Sequence, residues 1–161
     1  MDAAFDELIA PLQARSTLRW QSLSPGDLIA MGDTGVTVAL ASNFINTATR
    51  GYVRYLRFDR LVVVSFNIGL TPSAATRRLD FLLSQFAVVG RAQGLGFDTN
   101  GHLLEVSLGT PAEVMTNTTL SASLSVLSVK KLDGTDFETF PVSAQGVIGQ
   151  IFAEVSDVEL T

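Results

Sequence analysis

The sequence contains no cysteine, only one histidine (His102), and few charged residues. Without cysteine the chain has no disulfides, no thiolate nucleophile and no cysteine metal site. Asp, Glu, Lys and Arg make up 17% of its 161 residues, against about 25% in ordinary soluble domains. So few charges do not cover the surface of a lone domain. Either uncharged Ser, Thr, Asn and Gly form much of the surface or other chains cover part of it; we expect both, and therefore an oligomer.

An excess of positive charge and long apolar runs are also missing. The formal net charge is -5, whereas nucleic-acid binding relies on clustered Lys and Arg. The longest apolar stretches, such as residues 61–64, are far shorter than the ~20 residues of a membrane-spanning helix. Asp2, Asp6 and Glu7 stand where a signal peptide would carry positive charge. We therefore expect no nucleic-acid binding, no membrane insertion and no export through a signal peptide.

The first twelve residues are a candidate amphipathic helix. Phe5, Leu8, Ile9 and Leu12 follow the i, i+3, i+4, i+7 spacing of a helical stripe. A helix this short is marginal in water, so the stripe must dock on its own domain, on sister helices or on a larger assembly. A turn-rich connector follows at residues 22–35, SLSPGDLIAMGDTG. The sequence thus predicts an N-terminal helical arm and connector at 1–35, with the arm as an attachment segment, and a β-domain at 36–161.

The β-domain is predicted from a two-residue period that begins at Val36. Residues 51–70, GYVRYLRFDRLVVVSFNIGL, indicate a hairpin that turns at Asp59 and Arg60. Its second strand is apolar on both faces, and so is the last strand, predicted at 147–160. A neighbouring subunit over the second face would explain this pattern. Leu61 and Val63 are accordingly predicted subunit-interface residues.

Three further segments complete the predicted fold. Residues 77–89, RRLDFLLSQFAVV, fit either a helix or a strand. Residues 95–108, LGFDTNGHLLEVSL, predict a hairpin with a type I′ turn at Asn100-Gly101. At Leu127 and Val129, before the turn at Asp133-Gly134, the apolar residues change face and indicate a bulge, a twist or a change of neighbour. About eight short strands favour a mainly β fold, an antiparallel β-sandwich or jelly-roll-like domain with a short N-terminal helix.

Residues that would carry catalysis or bind a metal are sparse. His102 directly follows the hairpin tip and is interpreted as a surface residue rather than a member of a catalytic triad. Asp98, Asn100 and Gly101 partly match a calcium loop, but its twelfth position is Gly109 instead of Glu. We therefore expect no catalytic residue, no metal and no cofactor.

Three other local features have an ordinary interpretation beside a functional one. Asp133 and Asp136 would hold a weak surface ion, but an Asp-Gly pair is also what a tight turn selects. Arg77 and Arg78 would meet an acidic partner or a phosphate, and a solvated pair is the simpler interpretation. Tyr52 and Tyr55, with the arginines between and after them, suit either a subunit interface or stacking on sugars.

The order of segments along residues 36–155 resembles the compact β-domains of tailed-bacteriophage virion proteins. A polar loop is followed by RGYVRYLRFDRLVVVSFNIGL, a less regular middle, the FDTNGHLLEVSL hairpin and the strand GVIGQIFAEV. Such domains occur in tail fibres, baseplate receptor-binding proteins and head decoration proteins, and they are commonly homotrimeric. The chain departs from them in lacking a long N-terminal coiled coil or stalk.

The resemblance implies a non-enzymatic virion structural protein, assembled in the host cytoplasm and placed in the virion. Its expected partners are two further copies, forming a homotrimer, and other capsid or tail proteins; a head decoration protein and a compact tail knob both fit. The alternative is a carbohydrate-binding module in which Tyr52, Tyr55 and Trp20 contact a host-surface glycan. A third hypothesis, a hydrolase, would depend on a carboxylate such as Asp98 or Glu105.

Overall fold

The fold is built from ten β-strands in the residues that the computed structural model describes, which are 19–23, 28–40, 52–111, 125–138 and 146–155. The strands are β1 (Gln21–Ser22), β2 (Ile29–Met31), β3 (Val38–Leu40), β4 (Tyr52–Phe58), β5 (Leu61–Pro72), β6 (Arg78–Leu83), β7 (Ala92–Asp98), β8 (Leu103–Gly109), β9 (Ser125–Lys131) and β10 (Gly146–Glu154). The mainly β, antiparallel class predicted from the sequence is therefore confirmed.

The strands form one curled sheet. Nine of them follow the order β1-β4-β5-β10-β7-β8-β9-β6-β2, and β3 pairs with β5 beside this path. A tight turn joins β2 to β3, with a bridge between Met31 and Thr37, so the sheet bends back toward β5 as a half-barrel. The predicted sandwich is not confirmed, because the described strands share a single sheet. The predicted N-terminal helix lies outside the described residues.

The hydrophobic core lies on the inner face of this curl. Alternate residues of β5, namely Val62, Val64, Phe66 and Ile68, are fully buried there. The same face of the other strands adds Leu79, Phe81, Leu83, Leu104, Val106, Leu108, Leu127, Val129, Val147 and Ile151. Strand alternation thus places one apolar set in the core and leaves a second set on the outer face.

The described part of the predicted connector belongs to the sheet. β1 pairs with β4, and β2 pairs with β6. Leu23 directly follows β1 and Leu28 directly precedes β2, and both side chains are buried in the core. The β-domain therefore includes residues well before Val36.

Strands β6 and β9 are buried on both faces. The segment that fitted helix or strand contains β6, and β6 pairs with β9 in an unbroken register from Arg78–Lys130 to Leu83–Ser125. No bulge interrupts this register near Leu127, so that one of the three predicted explanations for the change of face is wrong. Val126 on the outer face and Leu127 on the inner face are both fully buried.

The hairpins occur where the sequence predicts them, with one difference in turn type. β4 and β5 turn at Asp59 and Arg60, and Asp59 has a φ of 52°. At the β7–β8 tip only Gly101 has a positive φ, of 85°, and the Gly101 N–H donates to the Asp98 carbonyl. A type I′ turn needs positive φ at both central residues, so the prediction of that type at Asn100-Gly101 is wrong. The tip is the three-residue form, with glycine in the left-handed position.

The two faces of the last strand differ in burial. Val147, Ile151 and Ala153 face the core, as the sequence pattern indicates. Ile148 and Phe152 face outward and are 40% and 58% exposed. The second face of this strand is therefore uncovered in the single chain, and its predicted burial by a neighbouring subunit stays a prediction.

Candidate interaction surface

The outer face of the sheet carries a set of apolar side chains, most of them exposed, which we name the outer patch. It consists of Phe58, Leu61, Val63, Leu95, Phe97, Leu103, Ile148 and Phe152. These side chains come from β4, β5, β10, β7 and β8, which are consecutive neighbours in the sheet. Monomeric proteins rarely expose contiguous apolar areas of more than a few hundred Å², and larger ones mark interaction sites.

One end of the outer patch is a row of three apolar residues across three strands. Ile148 of β10 lies directly opposite Phe97 of β7, and Phe97 lies opposite Leu103 of β8. Phe97 is 54% exposed, and Leu95, two residues earlier on the same face, is 62% exposed. Side chains opposite one another in a sheet touch, so this row forms a single apolar surface.

The other end of the outer patch lies near the β4–β5 turn. Phe152 of β10 is opposite Val63 of β5, and Phe58 is opposite Leu61. Of the two predicted interface residues in the described chain, Leu61 is 44% exposed and Val63 is half-buried. The other predicted contacts, Phe5, Leu8, Ile9 and Leu12, lie outside the described residues.

At the middle of β7, two glycines occupy inner positions that approach the backbone of β10 closely. A Cβ added at Gly96 would lie 2.5 Å from the Ile148 carbonyl oxygen. Gly94 and Gly96 therefore face inward, and Leu95 and Phe97 are left on the outer face. The alternation Gly-Leu-Gly-Phe in residues 94–97 is the sequence signal for these two patch residues, which were not among the predicted interface residues.

An aromatic and arginine stack borders the outer patch at the β1–β4 edge. The Arg54 guanidinium lies over the rings of both Trp20 and Tyr52, at 4.6 and 4.5 Å from the ring centres. Its Nε is buried without a hydrogen-bond partner. Stacking of this kind is a favourable cation–π contact, and it holds Trp20 on the outer side of β4.

The two tyrosines proposed as glycan contacts lie on opposite faces. Tyr55 is next to the outward-facing Arg54 in the strand and therefore faces inward. There it packs against Phe86, with ring centres 5.4 Å apart. Its hydroxyl donates to Gln21 Oε1 at 2.7 Å. Tyr52 faces outward, so the structure does not bring the two rings together into one sugar-binding platform.

A polar row replaces the apolar one where the outer face continues over β8, β9 and β6. Ser107, Ser128 and Asp80 lie opposite one another and are buried. Asp80 Oδ2 accepts a hydrogen bond from Arg78 Nε at 2.7 Å, whereas Oδ1 has no partner that meets hydrogen-bond geometry. Burial raises the pKa of Asp80 above its ordinary value of 3.8, although Ser128 and Arg78 favour the ionised carboxylate. Asp80 is thus a buried acid with an incomplete set of partners.

The clustered cations near this row are largely offset by carboxylates. Arg77, Arg78, Lys130 and Lys131 line a cleft of about 260 Å³ with Asp33, Gly134 and Thr135. Arg78 pairs with Asp80, Arg77 lies 3.5 Å from Asp136, and Lys131 lies 3.9 Å from Asp98. The predicted positive site at Arg77 and Arg78 is therefore part of a mixed-charge cleft.

The loop carboxylates considered as metal ligands are engaged within their own turns. Asp98 Oδ1 accepts the backbone N–H groups of Asn100 and His102, and Oδ2 lies 2.8 Å from His102 Nδ1. Asp133 Oδ1 accepts from the hydroxyl and the N–H of Thr135, and these hydrogen bonds lower the pKa of Asp133. Within the described ranges, no three His, Asp or Glu side chains are grouped so as to hold a metal ion.

The comparisons with known proteins add no family. No protein-family model, curated protein sequence or solved structure matches this chain. In the described part of the chain there is also no helix long and apolar enough to cross a membrane. The outer patch is therefore the feature from which a function is argued.

Proposed function

We propose that the chain is a non-enzymatic structural subunit of a bacteriophage virion, which assembles with further copies by burying its outer patch. The observation that supports this proposal is the apolar row of Leu103, Phe97 and Ile148, with Phe97 54% exposed in the single chain. Burial of apolar area is the main driving force of stable protein association. A typical stable interface removes about 800 Å² from each partner.

The virion assignment itself rests on the resemblance of residues 36–155 to phage virion domains. Such domains are commonly homotrimeric, and a homotrimer is accordingly the proposed assembly. The proposed architecture keeps the N-terminal helix as an attachment arm on a compact β-domain. A head decoration protein and a compact tail knob remain the two proposed positions, with capsid or tail proteins as further partners.

The composition of intact particles tests this assignment. If the assignment is right, purified particles of the bacteriophage that encodes the chain contain the protein. Mass spectrometry of the separated virion proteins detects it. Its copy number, and whether it stays with emptied heads or with detached tails, distinguishes a decoration protein from a tail knob. Absence of the protein from every particle fraction, with known capsid proteins detected as the positive control, would contradict the virion assignment.

The carbohydrate-binding alternative receives less support from the geometry. Its two tyrosines lie on opposite faces, and Tyr55 is held by Phe86 and Gln21. Under the proposed function, a glycan array should give no signal that depends on Tyr52. A specific glycan signal that is lost in Tyr52→Ala and retained in Phe58→Ala, an outward aromatic at the other end of the same strand, would favour the alternative.

A further inference from the structure

The chain carries an apolar segment of its own that matches the outer patch in size. Its first twelve residues include the stripe Phe5, Leu8, Ile9 and Leu12, which must be buried if so short a helix is to be stable. In helical form, residues 2–12 would be about 16 Å long at 1.5 Å per residue. The adjacent strands β5, β10, β7 and β8 span about 14 Å at ~4.8 Å per step. One such helix would therefore cross the patch.

The chain enters the described structure beside the outer face. Trp20 lies on the outer side of β4, because the Arg54 guanidinium stacks on its ring at 4.6 Å. The eighteen residues before Arg19 are thus tethered at the edge of this face. Six residues, 13–18, separate the predicted stripe from that edge, so the arm is joined to the sheet by a short connection.

The direction of β1 leads the arm away from one end of its own outer patch. Gln21 pairs with Tyr55 and Ser22 with Arg54 in an antiparallel register. The chain therefore enters β1 from the side of the later residues of β4, which lead to the β4–β5 turn. The exposed row of Ile148, Phe97 and Leu103 lies level with Tyr52, at the opposite end of β4. An arm that continues this course leaves the apolar row of its own copy uncovered.

We propose that residues 1–18 of one copy dock on the outer patch of a neighbouring copy. The inference rests on the proposed function, because it names what covers the patch in the assembly. The arm stripe and the patch are both apolar, so docking removes two exposed apolar surfaces from water at once. Head-to-tail exchange of one arm per copy closes into a ring when the rotation between copies allows it, and a trimer is such a ring.

The absence of cysteine makes the exchange directly testable by disulfide formation in the full-length chain. One variant, Ile9→Cys, has its only thiol in the arm, and a second, Leu95→Cys, has its only thiol in the outer patch. The two are mixed under mild oxidation, with a mass tag on one chain so that heterodimers separate from homodimers. A heterodimeric disulfide is the expected product. Leu95 is replaced because it is 62% exposed, so the substitution leaves the core intact.

A matched control uses an exposed apolar residue far from the patch. Ile29 of β2 is 59% exposed and lies at the far end of the strand order. Ile29→Cys mixed with Ile9→Cys should give at most one tenth of the heterodimer that Leu95→Cys gives. The experiment is repeated with Phe97→Cys in place of Leu95→Cys, so that the thiol lies at another position in the patch. This repeat shows whether a low yield with Leu95→Cys arises only because that substitution weakens docking.

The possible results separate the inference from the proposed function. Equal heterodimer yields at positions 29, 95 and 97 would overturn docking on the patch. An intramolecular disulfide alone in the double variant Ile9→Cys/Leu95→Cys would overturn exchange between copies. Failure of both patch variants to cross-link, while light scattering still gives an oligomer, would overturn the inference and leave the proposed assembly standing. The same failure in a chain that is monomeric would overturn both.

Discussion

Val63 and its two neighbours in β5 lie on opposite faces of the sheet. Val62 and Val64 are fully buried in the core, whereas Val63 faces outward and is half-buried. A carboxylate placed in a dry site without a partner is strongly unfavourable. The same substitution at adjacent positions therefore distinguishes the core from the outer patch.

We predict that Val63→Asp dissociates the oligomer and leaves the fold intact. The outer face becomes open to water once the copies separate, so the carboxylate is hydrated in the monomer. The matched variant Val64→Asp should instead lower the free energy of unfolding by at least ~4 kcal/mol, a range reached when an unpaired charge is buried in a core. Light scattering and urea denaturation measure the two effects. Unfolding of both variants alike would contradict the assignment of Val63 to a surface between copies.

The buried side chain of Asp80 is expected to make the stability of the protein depend on pH. Because burial raises its pKa in the folded state above the ordinary 3.8, the folded protein binds the proton more tightly than the unfolded chain does. The stabilisation contributed by the protonated group is therefore complete below about 3.8 and is lost as pH rises through the higher folded pKa. Above the folded pKa, Asp80 is ionised in the folded protein, and its contribution to the free energy of unfolding is then at its lowest.

The measurement compares Asp80→Asn with the unaltered chain in urea at a series of pH values. The free energy of unfolding of the unaltered chain, relative to that of the variant, should fall as pH rises from about 3.8 through the folded pKa of Asp80. Glu105→Gln, at a half-buried outer-face residue with Arg91 3.6 Å away, is the control. A relative stability that instead rises over this range would mean that Arg78 and Ser128 outweigh burial.

At the scale of the strand pair, β7 and β10 approach one another through two glycines. Gly96 lies directly opposite Gly149, and Gly149 also lies opposite Phe66 of β5. A Cβ at Gly149 would come within 2.6 Å of the Phe66 ring. The buried ring thus occupies the space that the missing side chains leave, which is close packing between a large residue and small ones.

We predict that Gly149→Ala lowers the free energy of unfolding by about 1–3 kcal/mol, because the added methyl group overpacks this part of the core. Phe66→Leu would shorten the opposing side chain. In the double variant, Gly149→Ala should then cost much less than it does alone, and urea denaturation of all four proteins measures this coupling. Strictly additive losses would show that the strain arises elsewhere than at the ring.

At the scale of the whole molecule, the curl of the sheet separates a filled inner face from an outer face that carries the exposed apolar side chains of the outer patch. β6 and β9 are buried on both faces within the chain, whereas β10 and β7 are covered on the inner face alone. A subunit with one such open face is expected to associate. The arginine stack at Trp20 and Tyr52 marks where the apolar surface ends at the β1–β4 edge.

We predict that the purified chain is a trimer by light scattering at micromolar concentration. Leu95→Lys/Phe97→Lys should reduce it to a monomer with an unchanged circular dichroism spectrum, since both side chains are more than half exposed. Ile29→Lys, with a comparable exposure on β2, should leave the trimer intact. A stable monomer of the unaltered chain would contradict the proposed assembly.

Much of the local structure could be predicted from the sequence because it depends on neighbouring residues. The two-residue period placed Leu61 and Val63 on one face of the second hairpin strand, and in the structure they lie on the outer face while Val62 and Val64 are buried in the core. The turns at Asp59-Arg60 and Asp133-Gly134 occur as predicted, and glycine takes the positive φ in the second. Strand period and turn chemistry are properties of a few consecutive residues, so the sequence by itself determined the mainly β class and its main hairpins.

What lies on each side of a strand was decided by the tertiary structure. The single curled sheet follows from long-range pairings such as β5 with β10 and β6 with β9, which no local pattern specifies. β6 is covered on both faces and β10 on one, although each carries apolar residues on both faces in the sequence. Tyr55 points inward to Phe86, and Phe97 points outward because Gly96 faces the Ile148 backbone. Burial depends on which distant segments pack together, and that is the physical reason why only the fold revealed the outer patch.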